Sequence, residues 1–300
     1  EAKRSNEAHR PVGMGSMGWH DMYYEMDIQF DSTEAVKLSN VLYEHMSYYS
    51  IQASSNLSKE RGKYNTYEGS LWSQGVFPMD TYRTLMATRP ERATSKMCGD
   101  LDWEKLKASV KRHGMRNSNT MAIAPTATIS SIVGCSPSIE PYFSALYVYS
   151  TLSGEFTMVN EHFVKDMKKI GKWDQRMIDE LKRHDGNVLA INSIEIPQEI
   201  REKYKTAFQQ DQFQMINSAA ARQRWIDQGQ SLNLYNDKTS LKHLNDIYMH
   251  AWNMGLKTTY YLRNQSASKI EKSTVTQTAE PENITACSLN SPPGECESCQ

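Results

Sequence analysis

The chain has almost no charge imbalance. Its 34 Lys and Arg against 35 Asp and Glu leave a formal net charge of −1 over 300 residues, which removes the electrostatic case for a nucleic-acid partner. No apolar run approaches the roughly 20 residues of a membrane span, and the N-terminus lacks a leader pattern, so no membrane association or secretion is expected. The eight histidines form no H-x-x-x-H or comparable pattern, and no metal is expected. Cysteine is scarce, five in all, which fits a reducing, cytoplasmic setting better than a disulfide-stapled secreted fold. The sequons at Asn56 and Asn283 carry no meaning there. No internal repeat is evident. A hydrophobic content of 39% is enough for a packed core, in one large domain or two ordinary ones. Glu1 opens a polar stretch without a methionine, and the sequence is expected to be a fragment or a processed product.

Two of the cysteines, Cys296 and Cys299, form a C-x-x-C pair at the end of a polar stretch. Residues 265–300 hold few bulky apolar side chains and many Ser, Thr, Pro and Glu, so ordering them has little burial to offset its entropy, and a flexible tail is expected. Treated as a coil, the segment from Leu262 to Cys296 reaches about 30 Å, at ~5–6 Å times the square root of its length. A thiol pair so carried fits redox shuttling. A structural zinc site, lacking a second C-x-x-C, and a pair without a role are the alternatives. Cys98 and Cys135 have no partner at redox or ligand spacing and are expected to be buried structural thiols.

Residues 1–264 carry recurrent helical signals. Asp31 with Glu34 suggests a capping box before a helix whose Leu38, Val41, Leu42, Met46 and Tyr49 keep helical spacing and which Gly62 stops. Further helices are expected from Asp102 to Gly114, Asn160 to Gly171, Asp174 to about His184, Pro197 to about Gly229, and Ser240 to near Gly255. Strand-like pieces lie at Thr120 to Ala124, Val188 to Asn192, Ser231 to Tyr235 and Lys257 to Leu262. Helices separating short strands argue for an α/β fold with a mostly parallel sheet or barrel.

Four groups of residues bear on chemistry. Gly13, Gly15 and Gly18 fit the G-x-G-x-x-G dinucleotide fingerprint, but the residues before them are polar rather than a buried strand, so close packing or a tight turn is the better use of these glycines. Thr126, Ala127, Thr128, Ile129 and Ser130 follow a strand-like segment and offer backbone and hydroxyl donors suited to phosphate oxygens; an ordinary Ser/Thr loop is the alternative. Tyr260 and Tyr261 sit in a strand-like run, where one would face the core and one the surface; if their rings stack instead, two phenols can relay a proton and an electron. Glu140 and Glu155 are too far apart in sequence to suggest an acid/base couple, and Glu140 is placed to cap or orient the loop before it.

Taken in order, several blocks resemble the large (alpha) subunit of class I ribonucleotide reductase, the class Ia type in particular. They are Arg10-Pro11-Val12-Gly13-Met14-Gly15 with Met17-Gly18, Gly114-Met115-Arg116-Asn117-Ser118, Ala124-Pro125-Thr126-Ala127-Thr128-Ile129-Ser130, Ser138-Ile139-Glu140-Pro141-Tyr142, Leu152-Ser153-Gly154-Glu155-Phe156, Gln230-Ser231-Leu232-Asn233, and Gly255-Leu256-Lys257-Thr258 with Tyr260-Tyr261. The resemblance covers essentially the whole chain, the terminal cysteine pair included. It implies the second half of a ten-stranded α/β barrel with a helical C-terminal region over residues 1–264, and a redox-active tail over 265–300. By the same resemblance, Thr126 to Ser130 hold the diphosphate of a ribonucleoside diphosphate. Tyr260 and Tyr261 pass a radical from the di-iron/tyrosyl cofactor of the small (beta) subunit. Cys296 and Cys299 re-reduce the active-site disulfide and are reduced by thioredoxin or glutaredoxin. The family's thiyl-radical cysteine, its active-site thiols and its nucleotide-effector regions precede the stretch that this chain resembles. The expectation is therefore a component of a deoxyribonucleotide-forming enzyme, without a cofactor of its own, active only with an N-terminal large-subunit portion and a small subunit. A non-catalytic assembly remnant is the rival, and a nicotinamide-dependent oxidoreductase, dependent on Gly13 and Gly15, a further one.

Overall fold

The computed structural model describes residues 1–89, 99–151, 154–237 and 240–264. In chain order its elements are α1 (Ala2–His9), α2 (Trp19–Glu25), α3 (Thr33–Arg61), α4 (Pro78–Met86), α5 (Trp103–His113), α6 (Ala127–Val133), the strands β1 (Leu146–Thr151) and β2 (Gly154–Val159), then α7 (Glu161–Lys169), α8 (Gln175–Arg183), α9 (Gln198–Lys203), α10 (Gln212–Gln223), β3 (Leu234–Asn236), α11 (Leu241–Asn253) and β4 (Leu262–Asn264).

Local capping explains where most of the helices begin. The side chains of Asp102, Asn160, Asp174, Asp211 and Ser240 each accept a backbone N–H from the first turn of α5, α7, α8, α10 and α11. Gly62 and Gly114, at φ 81° and 78°, end α3 and α5 in a conformation costly for any residue with a Cβ. Two expectations need correction here. Ser32, not Asp31, caps α3, its hydroxyl accepting Ala35 N–H at 3.1 Å. The long helix expected from Pro197 to Gly229 is broken into α9, a 3-10 turn at Ala207–Gln209 and α10, because Gln209 and Asp211 turn their side chains back to the backbone and start new elements.

α3 packs against both α5 and α10. The stripe read from spacing is displaced: Val41 and Tyr49 are exposed, whereas Ser39, Tyr43, Ser47, Ile51, Ser54, Ser55 and Ser58 are buried. Small serines let the helices approach closely, and their hydroxyls are satisfied across the gap, Ser55 with Ser109 at 3.1 Å and Ser58 donating to His113 O at 2.7 Å. Trp103 and Trp225 stack with centroids 5.6 Å apart. A second core gathers Phe163, Met167, Met177 and Leu181 from α7 and α8 with Val188 and Ile191. Val188 to Asn192, expected as a strand, instead starts with a 3-10 turn at Val188–Ala190 that closes this core.

The extended segments are short and run parallel. Met14 pairs with Met121, Ile123 with Gln230, and β3 with β4. β1 and β2 form a separate antiparallel hairpin that was not among the expected strands, although Ser153-Gly154 is a turn dipeptide. The mostly parallel arrangement expected from the alternation of helices and strands is thus present in part, and no barrel closes among the described residues. Among those residues no helix is long and apolar enough to cross a membrane.

Candidate active site

The segment 119–123 lies between its parallel neighbours and is held there by Asp227, whose carboxylate accepts the N–H groups of Thr120 at 2.7 Å and Met121 at 3.0 Å. Gly15 permits the approach from the other side: a Cβ there would lie 2.5 Å from Ala122 O. The glycine motif therefore serves backbone packing.

Beyond Pro125 the chain turns at Thr126, which takes a left-handed φ of 49° and precedes the first turn of α6. Its hydroxyl oxygen accepts Ser138 N–H at 2.7 Å, tying the entry of α6 to the loop that leaves it. The expected phosphate loop is thus the beginning of a helix, with Ala127, Thr128 and Ile129 exposed and their N–H groups lacking a carbonyl one turn back. Ser130 departs from the expectation. It is buried, its N–H donates to Thr126 O at 2.9 Å and its hydroxyl to Ala127 O at 3.3 Å, so it braces the turn from within.

A polar cluster from α2 supports the return loop. Asp21 accepts Ser136 N–H at 2.6 Å and the Tyr142 hydroxyl at 2.7 Å, with His162 at 3.2 Å. Next to it the fully buried His20 accepts Tyr142 N–H at 2.7 Å, and burial pushes its imidazole down to about 3, so it stays neutral.

Glu140 does not cap the loop before it. Its side chain crosses to β3, where Oε1 accepts Asn233 N–H at 3.3 Å and Oε2 the Tyr235 hydroxyl at 3.1 Å. Burial raises this carboxyl to about 7, against the lowering effect of both donors and of the Arg222 charge.

Tyr260 and Tyr261 precede β4 rather than lying in a strand, since regular pairing starts at Leu262. Segment 257–261 is laid along 226–234 by a mixture of backbone and side-chain bonds. Lys257 Nζ donates to Ile226 O at 2.8 Å and Thr258 Oγ1 to Gln230 O at 2.7 Å, while Tyr260 N–H reaches Leu232 O at 2.7 Å and Tyr261 N–H reaches Asn233 Oδ1 at 3.2 Å. Side-chain donors and a side-chain acceptor in place of a regular ladder relax the alternation of a strand. Both rings can then share a side: their centroids are 4.0 Å apart at 47°, their hydroxyls 3.1 Å apart, and both are about half exposed. The Tyr261 hydroxyl beside it raises the Tyr260 phenol above its ordinary value.

Cys135 is half-buried, and burial with the nearby Asp21 raises its thiol. Cys98, Cys296 and Cys299 lie outside the described residues. Asp21, His20, Asp227 and Asn233 went unread from sequence, because each acts on a backbone group about 28 to 122 positions away and leaves no local spacing signal.

A family model described as ribonucleotide reductase, barrel domain, matches residues 1–262. The ribonucleoside-diphosphate reductase subunit alpha of Chlamydia trachomatis serovar D is 48% identical over 277 residues, covering 92% of this chain and 26% of that protein. The ribonucleoside-diphosphate reductase large subunit of Plasmodium falciparum (isolate Dd2) is 38% identical over 276 residues, covering 92% of this chain and 33% of that protein. Among solved structures, the class Id ribonucleotide reductase alpha subunit of Actinobacillus ureae is similar at a TM-score of 0.66 and 27% identity, covering 88% of this chain and 41% of that one. The chain thus spans about a quarter to a third of the length of these curated relatives.

Proposed function

The chain belongs to the ribonucleotide reductase barrel-domain family, and on that premise we propose that it is the C-terminal portion of a ribonucleoside-diphosphate reductase large subunit. Combined with an N-terminal portion and a small subunit, it takes part in converting ribonucleoside diphosphates to 2′-deoxyribonucleoside diphosphates for DNA precursor synthesis. The observation that carries this reading is the tyrosine pair. Two adjacent, half-exposed phenols with hydroxyls 3.1 Å apart are set for coupled movement of a proton and an electron, and core packing gives no reason for such a pair.

The small subunit's di-iron/tyrosyl cofactor would supply the oxidising equivalent, and the upstream portion the cysteine that becomes the thiyl radical. This chain's residues carry out three tasks. Tyr260 and Tyr261 pass the radical between them: the phenolic proton and an electron of one leave together for the phenoxyl oxygen of the other, which becomes a phenol again. The exposed N–H groups of Ala127, Thr128 and Ile129, at the positive end of α6, bind the substrate's diphosphate, with Thr126 and Ser130 fixing the turn that presents them. Cys296 and Cys299, on the segment 265–300, return two electrons per turnover to the upstream active-site thiols and take them from thioredoxin or glutaredoxin.

The test is reduction of a radiolabelled ribonucleoside diphosphate with a small dithiol, by the chain alone and by the chain mixed with an upstream large-subunit portion and a small subunit. Turnover in the mixture alone is the expected result. A mixture that assembles yet forms no deoxyribonucleotide points to a non-catalytic assembly protein.

A further inference from the structure

The proposed route leaves Glu140, a buried acid, without a task. Glu140 is only 6% exposed, and a carboxyl taken out of water costs several kcal/mol unless donors reach it. Both its oxygens are met by β3 and the residue before it, Tyr235 and Asn233. Asn233 is the hinge of the arrangement. Its backbone N–H donates to Glu140 while its side-chain oxygen accepts Tyr261 N–H at 3.2 Å. On either side, Leu232 O accepts Tyr260 N–H at 2.7 Å and Leu234 N–H donates to Tyr261 O at 2.9 Å. Three bonds to residues 232–234 therefore set the backbone of the two tyrosines, and the middle one runs through the residue that Glu140 grips. Among the described residues the ring contacts are the two rings with each other and the Arg263 guanidinium, 5.6 Å from the Tyr261 ring.

We propose that Glu140 is a positioning residue for the tyrosine pair, setting the Tyr261 backbone through Asn233 and with it the spacing of the two phenol oxygens. The proposal rests on the reading of that pair as a radical route. An ionised carboxylate accepts from both donors at once. Protonation removes the charge that strengthens both bonds, and the acid's own O–H then turns to Tyr235, whose hydroxyl must accept instead of donate, so the hold on Asn233 N–H weakens. With the carboxyl raised to about 7, both forms are populated near neutral pH. The groups that act on it are Tyr235 of β3, Asn233 before it and Arg222 of α10, and Arg263 of β4 acts on Tyr235. Burial and Glu140 itself push the Tyr235 phenol well above its ordinary value, so it keeps its proton through the range in which the carboxyl changes state.

Two readouts test this. In the chain carrying 15N-tyrosine, the Tyr261 amide resonance, assigned by its loss in Tyr261→Phe, is expected to titrate with a midpoint near 7. It should stay fixed in Glu140→Gln, and also in Asn233→Ala, which keeps the acid and removes the relay. In the assembled enzyme, Glu140→Gln is expected to lower kcat roughly tenfold, the scale of a small misplacement of reacting groups, with KM unchanged and the pH dependence of kcat between 6 and 8 flattened. A Tyr261 amide that ignores pH in the native chain, or that titrates equally in Glu140→Gln, overturns the proposal. Turnover retained in Tyr261→Phe overturns the radical route instead, while the amide titration of the native chain still reports the Glu140 contact.

Discussion

At the residue scale, the chemistry assigned to this chain rests on a few side chains with separable roles. Phenylalanine fills the place of Tyr261 but cannot lose a phenolic proton, so Tyr261→Phe is expected to abolish turnover by the assembled enzyme with any reductant while leaving the fold intact, as read by deoxyribonucleotide formation and circular dichroism. Cys296→Ser separates tail from core: turnover driven by thioredoxin should be lost, and turnover driven by a small dithiol should persist, because a small reductant enters the site directly. Equal loss with both reductants would remove the shuttle from the scheme. Some of this was legible from residue order. Adjacent tyrosines and a terminal C-x-x-C are local patterns. The grip of Glu140 on Asn233 joins residues 93 positions apart, and no spacing rule reports it.

At the element scale, capping chemistry and close backbone approach decide the outcome. Helix starts at Asp102, Asn160, Asp174 and Ser240 were readable because an N-cap acts within three or four residues. The buried face of α3 was not, since its serines look like a solvent face until α5 and α10 supply partners for them. The same dependence on neighbours makes the glycines of the first parallel pairing testable. Gly15→Ala would push a methyl group into Ala122 O, and a cost of about 1–3 kcal/mol is expected for such overpacking. Gly13→Ala meets the Ala122 methyl at 3.1 Å and, at ordinary contact, Gln228 Nε2 at 3.7 Å, and should cost less. Urea unfolding of the two variants beside the parent chain checks the order, and equal midpoints would show that the Met14 to Met121 pairing is loosely held.

At the scale of the whole molecule, buried titrating groups link stability to pH. His20 has its imidazole lowered from 6.5 to about 3, so the folded state binds its proton less readily than the unfolded chain. Its contribution is complete above pH 6.5 and is lost as pH falls toward 3, at ~1.4 kcal/mol for each tenfold difference in proton affinity between the two states. Glu140 runs the other way, raised from 4.5 to about 7, and its contribution is lost as pH rises between those values. Denaturant unfolding at a series of pH values should show His20→Gln, whose amide oxygen still accepts Tyr142 N–H, losing less stability than the parent between pH 6 and 4. Identical slopes would mean that His20 is protonated without penalty. By itself, the sequence determined the family, most helix starts and the residues of the tyrosine pair, because motif order, caps and adjacency are properties of neighbouring positions. The packed fold settles which face of α3 is buried, that α6 begins where a loop was expected, that both phenols share one side, and that Glu140 answers to β3. Each of these depends on which distant backbone donor finds an acceptor, and that is settled when the chain packs.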